Sequence, residues 1–232
     1  LTVVCVEKNH FRIISSAATR ERDKFHIKKH ISNDIELKDI TDDLCVFGLF
    51  GPKSRELIQT ISKDNFDNEN FKFGTAKYIT IEDTKIWCQR LSYVGELGYE
   101  LYVDFKDAKK IYELIINKGK DSNLSNCGMH AMDIMRMESG FLHWGHDISP
   151  EENQFQAGLS FTISNKKDVD FIGKKSLENI KKENQKSRFT MFTLKDSEPG
   201  KPLLLHDEPI YIDDKIIGRS TSGNYSFNFK KN

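Results

Sequence analysis

The sequence predicts an α+β fold, in which helices and strands alternate through most of the chain and short strands dominate its end. Apolar residues recur at helical spacing in some stretches and alternate with polar residues at strand spacing in others. After Ser187, short apolar runs are separated by turns that contain Pro and Gly. This last pattern predicts a partial C-terminal β-barrel domain. We therefore place a domain boundary within residues 183–187, which gives domains 1–186 and 187–232.

The elements of the first domain follow from these two periodicities. The continuous apolar run Leu44–Phe50 is typical of a buried strand. Pro52 suits the entry of a helix, because no backbone donor is lost in a first turn. The expected strands are 1–7, 11–15, 35–40, 44–50, 76–81, 85–93 and 99–103, and the expected helices are 17–31, one entered at 51–54, 107–117, 129–137 and 174–186.

The second domain is predicted to contain only strands. They are expected at 188–194, 203–206, 210–213 and 216–221.

Composition and charge exclude several classes of protein. The 232 residues include 16 Phe, 7 Tyr and 2 Trp, enough large apolar side chains for a folded core. The 35 basic residues balance the 35 acidic ones, so we expect no nucleic-acid partner. No apolar run approaches the ~20 residues that span a bilayer, so we expect no membrane partner. We expect no signal peptide, and we expect further sequence at both ends, because the chain begins at Leu1 rather than Met.

The four cysteines indicate a reducing compartment. None forms a CxxC pair, which disfavours a zinc site of the usual spacing. Cys5, Cys45 and Cys88 lie in strand-like runs, and we expect buried, reduced thiols there. The predicted location is the cytoplasm, or a mitochondrial matrix in a eukaryote.

The stretch Arg90–Tyr102 carries the most chemical information. Gly95 and Gly98 allow a tight turn and a close backbone approach. Alternation then puts Glu100 on one strand face and apolar side chains on the other. A carboxylate there is costly unless it is paired, and a flat heterocycle with adjacent N–H donors would pair it well. A surface hairpin with an exposed glutamate is the alternative, and the residues alone do not decide between the two.

Other motifs carry less chemical information. His143 and His146 have HxxH spacing, but no third ligand is near in sequence apart from Asp147, so we predict no metal site. Asp133 lies on a predicted helix, where we expect a cap or an ion pair. Fingerprints for dinucleotides, P-loop phosphates, serine hydrolases and zinc proteases are absent from the sequence.

With these motifs taken together, the chain resembles the folate-binding aminomethyltransferase family, founded by the T-protein of the glycine cleavage system. The resemblance rests on six stretches in the family's order and spacing. They are Phe50–Leu57, Ser92–Leu101, Ala131–Glu138, His143–Ile148, Ala157–Leu159 and Phe171–Lys174.

The resemblance implies a cofactor, a fold and a set of partners. It implies that Glu100 pairs with the pterin edge of tetrahydrofolate and that Tyr93 and Glu96 line the site. The fold would consist of T-protein-like subdomains around the folate, followed by the barrel. The partner would be a small one-carbon donor or a carrier protein. The sequences of two of these stretches are closest to one branch of the family, the folate-binding C-terminal half of dimethylglycine and sarcosine dehydrogenases. Membership of that branch would imply an upstream flavin domain.

Two departures from the family pattern bear on catalysis. The T-protein has an arginine where this chain has Met132, which favours the dehydrogenase-like branch. The resemblance places the functional aspartate immediately upstream of Leu1, so the catalytic residue is not identified here and we expect this chain alone to be a poor catalyst. Three functions stay open: one-carbon transfer to tetrahydrofolate, the folate half of a flavin-dependent demethylating dehydrogenase, and folate binding without catalysis.

Overall fold

The computed structural model describes residues 1–164, 169–182 and 185–232, without the side chains of 181 and 182. These residues form two compact units, Leu1–Cys127 and Gly128–Asn232. Within the described residues, we find no helix with the length and apolar character needed to cross a bilayer.

The first unit is built on a four-stranded antiparallel sheet. Its strands stand in the order β3–β6–β5–β4, and a separate hairpin consists of β1 and β2. The strands are β1 (Thr2–Glu7), β2 (His10–Ile14), β3 (Leu44–Phe50), β4 (Ala76–Ile81), β5 (Thr84–Gln89) and β6 (Gly98–Asp104), and the helices are α1 (Arg20–His30), α2 (Ser54–Ile61) and α3 (Phe105–Gly119).

Helices α2 and α3 cover one face of this sheet. Ile58 on α2 and Ile111 on α3 are fully buried there, at the helical spacing that makes each helix amphipathic. The alternation predicted for β6 is confirmed, because Tyr99, Leu101 and Val103 all belong to this core. The other face of the sheet is therefore free to carry the intervening residues, among them Glu100.

The second unit contains two helices and one hairpin of regular structure among its described residues. They are α4 (Met129–Glu138), α5 (Lys174–Lys182), β7 (Pro209–Ile212) and β8 (Lys215–Arg219). As predicted, α4 stops at Ser139 and Gly140, where Gly140 adopts a φ of 69°. Helix α5 starts at the predicted residue; residues 185 and 186 lie outside it, and 183–184 lie outside the described residues.

Three predicted strands are wrong. Residues 35–40 form no strand, and their Asp39 instead binds the side chain of Arg20 at 2.9 Å. Residues 188–194 and 203–206 also form no strand. The Leu194 N–H donates to the Asn232 carbonyl and the Leu205 N–H donates to the Glu208 carboxylate, instead of joining a ladder. Only one hairpin of the expected barrel is formed in 187–232. A run of apolar residues makes a strand only where a neighbouring strand is in place to complete a ladder.

The expectation of buried thiols holds for one of the three strand cysteines. Cys88 is buried, Cys45 is half-buried and Cys5 is exposed. Burial raises the pKa of the Cys88 thiol far above its usual range, which leaves it unreactive.

Candidate functional site

Glu100 lies in one transverse row of the sheet, which we call the trough. The register sets Gly48 of β3 opposite Glu100, Glu100 opposite Gln89 of β5, and Gln89 opposite Ala76 of β4. All four lie on the face away from the helices, because their strand neighbours point into the core. The row therefore presents two adjacent polar side chains between the two smallest residue types.

A second row, two residues along the strands, forms an aromatic wall beside the trough. It pairs Tyr102 with Trp87 and Trp87 with Tyr78. The rings of Tyr78 and Trp87 meet edge to face, with centroids 4.9 Å apart. Tyr102 and Trp87 are both buried. This wall offers flat apolar surface next to the carboxylate of Glu100.

Phe50 closes the other side of the trough. A Cβ atom added to Gly98 would lie 2.2 Å from Cδ1 of Phe50, and one added to Gly48 would lie 2.5 Å from its Cε2. The ring therefore lies directly over both glycines, in space that any other residue would fill. This close approach explains the need for glycine at these two strand positions.

Glu100 is held by a neighbour on its own strand. The Tyr102 hydroxyl donates a hydrogen bond of 2.8 Å to Oε2 of Glu100. Burial, together with the adjacent Glu100 carboxylate, raises the pKa of the Tyr102 phenol above its usual range. The phenol thus stays a donor, which keeps the glutamate oriented while it remains partly exposed.

Arg12 brings a positive charge to this face from β2. Its guanidinium lies 4.8 Å from the ring centroid of Trp87 and 5.9 Å from that of Tyr102. Such stacking holds the planar cation against the aromatic wall. One of its terminal nitrogens, Nη1, is buried and has no hydrogen-bond partner among the described residues.

Unsatisfied polar atoms concentrate on this face. Besides Arg12, Nε1 of Trp87 and both amide atoms of Gln89 are buried without a partner in the described part of the chain. A buried polar atom left unpaired costs about 1–3 kcal/mol, so a cluster of them calls for an explanation. A ligand with matching donors and acceptors, bound on this face, would give these atoms partners.

The loop between β5 and β6 carries Tyr93 and Glu96. The Leu97 carbonyl of this loop accepts hydrogen bonds from the Gly51 N–H at 2.8 Å and from the Ser54 hydroxyl at 3.1 Å, which ties the loop to the start of α2. Tyr93 and Glu96 are both half-buried. Their roles as lining residues stay predictions.

The sequence predicted Glu100 as a site residue but did not point to its neighbours on this face, Gln89, Trp87 and Arg12. Alternation along Ile86–Gln89 could have placed Trp87 and Gln89 on one face, because Ile86 and Cys88 are the core residues there. The register that pairs Gln89 with Glu100 is a property of the folded sheet, and no local sequence pattern predicts it.

A second polar cluster, in the other unit, is built around an ion pair. Arg136 is 3% exposed and Asp147 is 4% exposed, and the guanidinium of Arg136 donates directly to the Asp147 carboxylate. Ser222 and Thr221 each donate to Oδ1 of Asp147 at 2.7 Å. Burial works against the charged carboxyl, but these hydrogen bonds and Arg136 together hold the pKa of Asp147 below its usual range. The saturated network indicates a structural role.

The expected ion pair of Asp133 is confirmed. Its carboxylate accepts a hydrogen bond of 2.7 Å from Nε of the same Arg136. The histidines of the HxxH motif also lie close together, with the ring centroids of His143 and His146 4.5 Å apart. In the described ranges, no group of three or more His, Cys, Asp or Glu side chains is arranged to hold a metal ion.

Several known proteins are similar to this chain in sequence. A family model described as GCVT N-terminal domain matches residues 1–167. Human mitochondrial dimethylglycine dehydrogenase is 33% identical over 236 residues, covering 100% of this chain and 27% of the relative. An aminomethyltransferase of Anoxybacillus flavithermus is 29% identical over 224 residues, covering 97% of this chain and 60% of the relative. The chain therefore spans only part of the length of these relatives.

Among solved structures, the glycine cleavage system aminomethyltransferase T of Bartonella henselae has a similar fold. The TM-score is 0.74 at 20% sequence identity, and the match covers 95% of this chain and 58% of that one. At this identity the likeness concerns the fold alone.

Proposed function

The chain belongs to the GCVT N-terminal domain family, and on that premise we propose that it binds tetrahydrofolate and serves in the transfer of a one-carbon unit to it. The observation that supports this most is the trough of the first unit, where Glu100 and Gln89 lie side by side between an aromatic wall and Phe50. When bound, tetrahydrofolate supplies the nitrogen that takes up the one-carbon unit.

The residues of the trough fit a pterin ring. Glu100 presents a carboxylate that accepts two parallel hydrogen bonds from adjacent N–H groups. Tyr102 keeps that carboxylate in place through its 2.8 Å hydrogen bond. The wall formed by Tyr102 and Trp87 excludes water beside the ring, and the unpaired polar atoms on this face would gain partners. We propose Tyr93 and Glu96 as further lining residues on the loop before β6.

The acid that would assist transfer is not assigned to any residue of this chain. Glu100 and Glu96 are placed at the pterin end, and Asp133 is engaged by Arg136. We propose, from the family resemblance, that the functional aspartate lies upstream of Leu1. The contribution of these residues is therefore to bind and orient the folate, and the donor is a small molecule or a carrier protein.

A second candidate function is the folate half of a flavin-dependent demethylating dehydrogenase. It is favoured by the similarity to a dimethylglycine dehydrogenase, and a human sarcosine dehydrogenase is also 31% identical over 196 residues. A flavin-binding domain encoded upstream of Leu1 would support it. Formation of methylene-tetrahydrofolate from an aminomethyl carrier without a flavin would support the first function instead, and folate binding without any transfer would support a non-catalytic role.

We further propose that residues 1–186 form the folate-binding domain and that 187–232 begin a β-barrel domain. This boundary falls inside the second compact unit, and limited proteolysis with cleavage confined to 183–187 would support it. We place the protein in the cytoplasm or a mitochondrial matrix.

The binding step has a direct test. The chain has two tryptophans, so a Trp144→Phe variant leaves Trp87, on the trough wall, as the only tryptophan fluorophore. Titration with tetrahydrofolate under reducing, anaerobic conditions should quench this emission saturably. Absence of saturable quenching, with calorimetry also showing no binding, would contradict the proposal. Binding should then be followed by a screen of dimethylglycine, sarcosine and lipoyl-bound aminomethyl donors with the intact gene product.

A further inference from the structure

Gln89 is enclosed without a structural partner. Its side chain is 0% exposed, and neither Nε2 nor Oε1 has a hydrogen-bond partner within residues 1–164, 169–182 and 185–232. Most buried amides in proteins are hydrogen-bonded. A glutamine with both amide groups unpaired stabilises the fold less than a methionine of similar volume would at the same position.

Gln89 lies next to Glu100 on the neighbouring strand, so a ligand bound by Glu100 lies near this amide. Directly opposed residues of antiparallel strands have Cβ atoms about 4.5–5.5 Å apart. Glu100 already accepts a hydrogen bond from Tyr102 and is partly exposed. On its other side Gln89 faces Ala76, whose side chain is short and cannot hydrogen-bond the amide. A ring bound at the Glu100 carboxylate therefore lies one strand spacing from Gln89, and the buried amide meets it by turning outward.

A primary amide has one kind of complement. It offers a donor at Nε2 and an acceptor at Oε1, so the matching ligand edge carries an acceptor beside a donor. The tetrahydropterin ring has such an edge on each side: the C4 oxygen beside N5–H, and N1 beside N8–H. In the fully oxidised ring, N5 and N8 carry no hydrogen and can only accept. The amide then keeps one bond and its oxygen faces a lone pair.

We propose that Gln89 makes this site selective for the reduced over the oxidised pteridine ring. The inference rests on the proposed function, and it names a residue and a specificity that the family match does not supply. Glu100 binds the part of the ring that both oxidation states share. Gln89 binds the part that differs between them, and so acts as the specificity-determining residue.

The test compares tetrahydrofolate and oxidised folate on the whole chain. The unaltered chain should bind tetrahydrofolate at least about tenfold more tightly than folate. Gln89→Met, of similar volume, should weaken tetrahydrofolate binding by about tenfold, change folate binding by less than about threefold, and so abolish most of the preference. Gln59→Met on α2, where the amide bonds the carbonyls of Ser62 and Asp64, is the matched control and should leave both affinities unchanged.

Thermal unfolding separates a ligand role from a structural one. Because the amide of Gln89 has no partner in the described part of the chain, Gln89→Met should unfold at the same temperature or higher. A lower midpoint would mean that Gln89 supports the fold, which would overturn the inference. An equal loss of affinity for both ring states, or none for either, would also overturn it while the proposed function stands. Failure of the unaltered chain to bind tetrahydrofolate would instead remove the proposed function itself.

Discussion

The Tyr102 hydroxyl donates a hydrogen bond of 2.8 Å to the carboxylate of Glu100, two residues away on the same face of β6. Strand neighbours at i and i+2 share a face, so this bond fixes the glutamate from within its own strand. The aromatic wall is thus joined to the carboxylate by a hydrogen bond. The proposed folate binding depends on this arrangement being in place before the ligand arrives.

Tyr102→Phe should weaken tetrahydrofolate binding by about 2- to 12-fold, because the carboxylate keeps its charge but loses the hydrogen bond that orients it. Calorimetric titration measures this. Tyr211→Phe, at an exposed position, is the control. Equal affinity in the Tyr102 and Tyr211 variants would show that Glu100 needs no such support.

The same tyrosine should give the fold a dependence on alkaline pH. Its folded pKa is raised, so its contribution to stability is fully present below the unfolded pKa of about 10 and is lost as pH rises through the folded value. The free energy of unfolding of Tyr102→Phe should therefore decline less steeply above pH about 10 than that of the unaltered chain. Denaturant titrations across this range check it, and parallel curves would be inconsistent with the buried phenol.

Gly98→Ala should destabilise the first unit by about 1–3 kcal/mol, since the new methyl group would overlap the ring of Phe50. Gly218→Ala is a control, because its Cβ would meet no atom within 4 Å. The double variant Gly98→Ala with Phe50→Leu should recover part of the loss. No recovery would mean that the Phe50 ring is not the source of the strain.

Asp147→Asn should destabilise the second unit by about 1–3 kcal/mol, because the buried Arg136 loses one of its two carboxylate partners and keeps only Asp133 among the described residues. The folded pKa of Asp147 is lowered, so its contribution is present above the unfolded pKa of about 3.9 and is lost as pH falls through the folded value. Acid unfolding of Asp147→Asn should accordingly show a shallower pH dependence than that of Asp196→Asn, an exposed control. Identical acid transitions would contradict the network's structural role.

No metal is predicted at His143 and His146, although their rings lie close together. Elemental analysis of the purified chain should find zinc and iron well below one ion per molecule, and His146→Ala should change nothing. Stoichiometric metal that disappears in His146→Ala would overturn this prediction.

Features of the fold and the site that depend on short stretches of sequence could be predicted, and those that depend on distant residues could not. The strand Leu44–Phe50 and the inward alternation of Tyr99 and Leu101 follow from short patterns and are confirmed. The failed strand at 35–40 alternates equally well, but Asp39 bonds to Arg20, and no strand among the described residues pairs with it to complete a ladder. The pairing of Gln89 with Glu100 requires the register of two strands, which only the assembled sheet defines.

The measurement that bears most directly on the account is the affinity of Glu100→Gln for tetrahydrofolate. The amide keeps one acceptor and turns a donor toward a donor of the ring, so the loss of a charge-assisted bond should weaken binding by about 10- to 150-fold. Glu113→Gln, on the exposed side of α3, should bind as the unaltered chain does. An affinity of Glu100→Gln within about twofold of the unaltered chain would contradict the claim that this carboxylate recognises the pterin ring.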